Sequence, residues 1–130
     1  MTQLSHKRER VAASSTAFKP HERIRRRAEF QRVYEHGFRL RGRYSTLFTL
    51  PNTLRVGRLG IAATRKFGGA VDRNRAKRLI REIFRRNKIA PGFDVIVIPK
   101  RELLNASLSA LEEDYRHNVA RCLRQSSARS

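Results

Sequence analysis

Between Asp72 and Lys88 the chain reads DRNRAKRLIREIFRRNK, which sets Arg73, Asn74, Arg75, Lys77 and Arg78 within six consecutive positions. Cations at this density do one kind of chemistry well. They neutralise and orient phosphate, and the planar fork of arginine grips its oxygens in pairs. Asn74 adds a neutral donor and acceptor that can reach a sugar or a base edge. In a helix these charges crowd the end where the macrodipole already leaves positive charge. Such repulsion disappears when a polyanion binds there, next to the unbonded N–H groups of the first turn.

Residues suited to hydrolysis are harder to find. Cleaving a phosphodiester with protein groups needs carboxylates that hold metal or a poised histidine pair. The acidic cluster Glu112-Glu113-Asp114 lies far along the chain from the cations, and it reads as helix-start charge that complements the dipole. His6, His21, His36 and His117 are scattered, with no partner at ligand or acid–base spacing. His36, beside Gly37, reads as a cation at a helix C-terminus. Cys122 is the only cysteine, so it forms no internal disulfide and reads as a small apolar residue on a helix. No catalytic residue and no metal site are therefore expected on the protein.

The rest of the composition agrees. A chain of 130 residues makes one domain around one modest core. Thirty Lys and Arg against eleven Asp and Glu give a formal charge of +19, a self-repulsion that points to a polyanionic partner. Twenty-four of the cations are Arg. Residues 1–43 carry twelve basic and four acidic groups, 44–90 twelve and two, and 91–130 six and five, so the charge belongs to the first two thirds. Nucleic acid fits this pattern better than a membrane surface, since the chain has no Trp and its apolar helix positions are needed for a core. With no apolar run of membrane-spanning length and no apolar stretch of a secretory signal, the expected location is the cytoplasm.

These residues need elements to hold them. Residues 1–21 have no apolar period and read as a flexible basic arm, and residues 125–130 as a tail. RRAEFQRVYEHG spaces Phe30, Val33 and Tyr34 as a helix that stops at Gly37. A brief extended piece follows, then a strand from Tyr44 to about Leu50 that ends at Pro51-Asn52. RLGIAAT alternates Leu59, Ile61 and Ala63, and the intervening PNTLRVG has the composition of a hairpin connection, so two antiparallel strands are expected. In the basic helix Ala76, Leu79, Ile80, Ile83 and Phe84 form an apolar face, with Asn74, Arg78, Arg81 and Arg85 opposite. Glu82, within reach of Arg78 and Arg86, is the one acid that offsets these cations. PGFDVIVIPK holds an apolar run suited to a strand buried on both faces. Leu108, Leu111, Tyr115, Val119 and Cys122 then make one stripe of a last helix, with Ser109 and Glu112 as its capping box. The fold class is α/β (α+β), a single-domain sandwich of one sheet and flanking helices.

KFGGAVDRNRAKRLIREIFR, with its Arg-Asn-Arg following Lys-Phe-Gly, resembles the signature segment of the bacterial ribonuclease P protein subunit. The resemblance runs over residues 22–124, with RIRRRAEFQRVYEHG similar to the first helix of that family, YSTLFTL and RLGIAATRK to its central strands, and PGFDVIVIPK to its last strand. It implies a fold like domain 2 of ribosomal protein S5, with about four strands and a left-handed strand-helix-strand crossover, where the general rule gives a right-handed one. It also implies a subunit of an endoribonuclease in tRNA 5′ maturation, whose chemistry belongs to the RNA subunit and its Mg²⁺. Its partners would be ribonuclease P RNA and precursor tRNA. Carried onto this chain, Arg73, Asn74, Arg75, Lys77, Arg78 and Arg81 would face the RNA subunit. Phe30, Tyr34 and Phe48 would line a cleft for the single-stranded leader, with Arg65 and Lys66 at its basic edge. Read from spacing alone, the three aromatics are core residues sooner than a binding surface, since aromatics at helical spacing usually pack inside. Arg27-Ala28 offers no side chain to cap the first helix, which departs from the family pattern. A ribosomal or other structural RNA-binding protein is the alternative.

Overall fold

The computed structural model describes residues 19–129, with side chains to 126. Most of the expected arm, residues 1–18, and the end of the expected tail lie outside them. The elements run α1 (Arg27–His36), β1 (Phe38–Arg41), β2 (Ser45–Pro51), β3 (Arg58–Ile61), α2 (Ala70–Arg86), β4 (Phe93–Pro99) and α3 (Leu108–Arg129). Short 3-10 turns occupy Pro20–Glu22 and Arg101–Asn105.

The four strands form one mixed sheet in the order β1-β2-β4-β3. β4 is central and pairs antiparallel with β2, through Phe48↔Ile96 and Thr46↔Ile98, and parallel with β3, through Gly60↔Ile96. The expected hairpin between β2 and β3 is therefore corrected. Both strands hydrogen-bond β4 instead, because Val95, Ile96 and Val97 are apolar on successive positions and need cover on both faces. The intervening loop closes on the start of β4, where Asn52 N–H donates to the Gly92 carbonyl at 2.7 Å and Gly92 N–H to that of Val56 at 3.3 Å.

Strand alternation sends Leu47, Thr49, Leu59, Val95 and Val97 to one face of the sheet. There they meet Ala76, Ile80, Ile83 and Phe84 of α2 and Leu111, Val119 and Cys122 of α3. Thr49, fully buried, shares a hydroxyl hydrogen bond with Ser126 near the end of α3. Phe48, Leu50, Ile96 and Ile98 point to the other face, where Ile24 and, from α1, Phe30, Val33 and Tyr34 cover them. The β3-α2-β4 crossover thus passes over the first face.

Its hand follows from the hydrogen bonds. Val97 and Leu59 both point up towards α2, and their carbonyls accept from Ala62 N–H beside β3 and from Ile24 N–H beyond it. For L-residues running away from the viewer, this puts β3 to the right of β4. The chain consequently steps left beneath its helix, which makes the crossover left-handed, against the usual preference.

One helix start is capped as expected and one is not. α1 begins at Arg27, behind Arg26, with no side-chain cap, as Arg27-Ala28 implied. At α3 the cap is Ser107, whose hydroxyl accepts from Ala110 N–H at 3.1 Å, and Ser109 is not the cap. Leu108 already lies inside the helix, so the cap stands two residues earlier, and Ala110 occupies the position where a box needs Glu or Gln.

Candidate nucleic-acid interface

α2 turns its charged side outward because its apolar side is consumed by the core. Asn74, Arg75, Arg78 and Arg81 are exposed, while Arg73 and Lys77 are half-buried. Arg73 is partly committed, since its Nη1 donates to the Gly68 carbonyl at 2.9 Å and steadies the glycine turn before the helix. Gly68 has φ +159° and so sits at the edge of the region that only glycine visits readily. Arg101 fastens the same turn from the other side, through the Phe67 carbonyl at 3.0 Å and Asp72 at 2.9 Å. Asp72 is thereby occupied at the helix start.

Acids neutralise only the far end of α2. Glu82 pairs with Arg85 and, as expected, with Arg86 at 3.0 Å; the other expected partner, Arg78, makes no ion pair with it. Those two arginines hold the Glu82 carboxyl below its ordinary range. Glu112, from the acidic cluster on α3, accepts from Asn87 at 2.6 Å and lies 3.7 Å from Arg86. Asp114 accepts from Asn118 at 3.0 Å, and burial raises its carboxyl above the usual value. The cluster thus includes contacts that tie α3 to α2 and to its own next turn. Between Arg75 and Arg81, no carboxylate pairs with a cation among the described residues.

The second surface is the sheet face beneath α1. Phe30 and Tyr34 stand one helical turn apart, with ring centres 6.2 Å apart. Tyr34 meets Phe48 edge-on at 5.0 Å. All three are half-buried, so they combine packing with an accessible rim. Gly60 lets Phe30 reach β3, since a Cβ there would lie 2.8 Å from its Cζ.

α1 is pinned across the start of β4. Arg58 bonds Asp94 with two nitrogens, at 2.9 and 2.8 Å, and Glu29 on α1 with a third at 2.9 Å. Asn52 donates to the same Asp94 at 2.7 Å. The Arg58 guanidinium holds the Glu29 carboxyl below its ordinary value, while Asp94 and Glu29 push Arg58 further up. Towards the end of β4 the helix no longer covers the sheet, and exposure rises from none at Ile96 to partial at Ile98 and its neighbour Thr46.

Arg39 and Arg41, both exposed, pair with Phe48 and Thr46 and so border this open half-face. Sequence reading passed over them, although FRLR places two cations two apart on a strand, hence on one side. Arg65 and Lys66 are exposed on the turn before Phe67. Ala62, before them in the chain, packs in the aromatic cluster, while Phe67, directly after them, packs in the core on the α2 side.

A small basic α+β domain with one cationic helix and one half-open aromatic sheet face belongs to the class of RNA-binding proteins. The sequence model of the Ribonuclease P family matches residues 18–123. The chain is 45% identical over 89 residues to the ribonuclease P protein component of Thermotoga maritima, covering 67% of this chain and 76% of that one. It is 32% identical over 101 residues to the component of Clostridioides difficile, covering 75% and 89%. The solved RNase P protein of Thermotoga maritima superposes with a TM-score of 0.70 at 38% identity, over 77% of this chain and 96% of that one. That of Staphylococcus aureus gives 0.68 at 31% identity, over 78% and 96%. The chain belongs to the ribonuclease P protein family, the protein component of an endoribonuclease that works in tRNA processing with RNase P RNA as its partner.

Proposed function

We propose that the two surfaces divide the work of the subunit. The outer side of α2, through Arg73, Asn74, Arg75, Lys77, Arg78 and Arg81, binds the RNA subunit. The half-open sheet face receives the single-stranded 5′ leader of precursor tRNA, stacking its bases on Phe30, Tyr34 and Phe48 between the cations of Arg39 and Arg41 and those of Arg65 and Lys66. Cleavage itself is left to the RNA and its Mg²⁺ in the cytoplasm, with the protein supplying position and charge neutralisation.

The observation that carries this reading is the polarity of α2, whose own cations are paired with acids only at its far end and stand exposed nearer its start. The role given to the RNA is supported by the use of Glu112 and Asp114 in hydrogen bonds between and within helices. Titration of ribonuclease P RNA with Arg75→Ala and Arg78→Ala at several salt concentrations tests it. Each variant should bind more weakly and lower the salt slope by roughly one ion, with the fold unchanged. Unaltered affinity and slope would remove α2 from the interface.

A further inference from the structure

α2 carries two acids, Asp72 and Glu82. Glu82 is taken up by Arg85 and Arg86 at the far end, but Asp72 stands in the first turn, beside the cations that begin at Arg73. The N-cap is Gly69, which brings no side chain, and Asp72 lies three residues beyond it. From that position an acid ordinarily reaches back to the N-cap N–H and complements the helix dipole. Asp72 also precedes Arg75 by three residues, which is pairing range on a helix. Its carboxylate is instead drawn to a different element. Arg101, at the head of the 3-10 turn after β4, donates from Nη1 to Asp72 Oδ2 at 2.9 Å. The same Nη1 donates to the Phe67 carbonyl at 3.0 Å, and the guanidinium lies over the Phe67 ring, 5.5 Å from its centre. Gly68 allows this closure, since a Cβ there would lie 2.5 Å from that Nη1.

We propose that Arg101 is a positioning residue for RNA binding: it draws the Asp72 carboxylate onto the glycine turn, so that the start of α2 meets RNA without an opposing acid. The inference rests on the reading of α2 as the RNA-binding helix and adds to it a residue of another element that acts through Asp72 and not by touching RNA. Released, the carboxylate would turn to the first-turn N–H groups or to Arg75 and occupy donors that a phosphate uses. It would also stand well within a Debye length, about 8 Å at physiological salt, of any phosphate held by Arg73, where like charges still repel. To the fold itself the pair matters little, because its side chains are 58% and 39% exposed. Its effect belongs to binding.

The test titrates the full chain with RNase P RNA at several salt concentrations, as Arg101→Ala, Asp72→Asn and the double variant, with thermal unfolding of each. Arg101→Ala should weaken binding by roughly 2- to 5-fold and keep the salt slope. Asp72→Asn should bind at least as tightly as wild type, and the double variant should recover most of what Arg101→Ala lost. Melting temperatures should stay within about 3 °C of one another. If Arg101 held a phosphate itself, its removal would lower the slope by about one ion, and Asp72→Asn would restore nothing. If the pair only firmed the turn, both single variants would weaken binding alike and the double variant would be no better than either. Each of those patterns overturns the proposal, as does an unchanged affinity in Arg101→Ala. None of them touches Arg75 and Arg78, whose own titration decides the reading of α2.

Discussion

Tyr34→Ala and Phe48→Ala probe the proposed leader surface most sharply, because the proposal gives each ring two separable duties. Truncating a fully buried Phe costs about 3–5 kcal/mol. Phe48 is half-buried and loses one edge-to-face partner, so a destabilisation of about 2 kcal/mol is expected, equivalent to a fall in melting temperature of roughly 10 °C. A stacked base is worth about 1–3 kcal/mol, or roughly 5- to 150-fold in affinity. The assay pairs thermal unfolding of the protein with the affinity of the complex reconstituted on RNase P RNA for precursor tRNA and for mature tRNA. Leader-bearing substrate should lose affinity by that factor, and mature tRNA should hardly change. Arg39→Ala and Arg41→Ala, exposed on β1, should lower leader affinity several-fold with an unaltered melting temperature. Equal losses for both substrates in the aromatic variants would refute the reasoning and return these rings to packing alone.

Arg58→Ala strands the buried Asp94 carboxylate and releases Glu29, so urea unfolding should show a loss of about 3–5 kcal/mol, with Asn52 sparing part of it. Gly60→Ala forces Phe30 aside and should destabilise the domain by about 1–3 kcal/mol, while lowering leader affinity in the same variant. The lowered Glu29 carboxyl contributes stability that is present above its ordinary value of 4.5 and lost as pH falls through the depressed folded value. Urea titrations of wild type and Glu29→Gln should therefore differ at pH 7 and converge in acid. Burial pushes the Cys122 thiol up to about 11, so alkylation at pH 8 should require unfolding.

Local features of the sequence carried through to the structure where they obeyed a single period. The apolar face of α2, the stripe of α3 and the buried run of β4 each follow from spacing, and the Arg-Asn-Arg segment marks the family by itself. Pairing between strands was different. Tyr44–Leu50 and Arg58–Ile61 are neighbours along the chain with turn-like residues between them, and nothing in either announces that a strand from residues 93–99 will enter the gap. The same holds for the half-open aromatic face. Phe30, Tyr34 and Phe48 have core-like spacing, and their open rim arises only because α1, held by Arg58, crosses one half of the sheet and leaves the other bare.

The central place of β4 also sets an order of events during synthesis. In the sheet, β3 bonds β4 and the bridge that Arg23 makes to Leu59, and β2 bonds β1 and β4, so the two sides of the sheet have no shared hydrogen bonds until β4 is made. The chain leaves the ribosome from its N-terminus, and α2 emerges before the strand that gives it a floor. Between the completion of α2 at Arg86 and that of β4 at Pro99, a helix with an apolar side and a dense cationic side is therefore in solution next to the ribosome's own RNA. The exposed β3 edge and the unseated α2 are the parts of the nascent chain most open to wrong pairing, and residues 93–99 are the segment whose arrival ends that exposure.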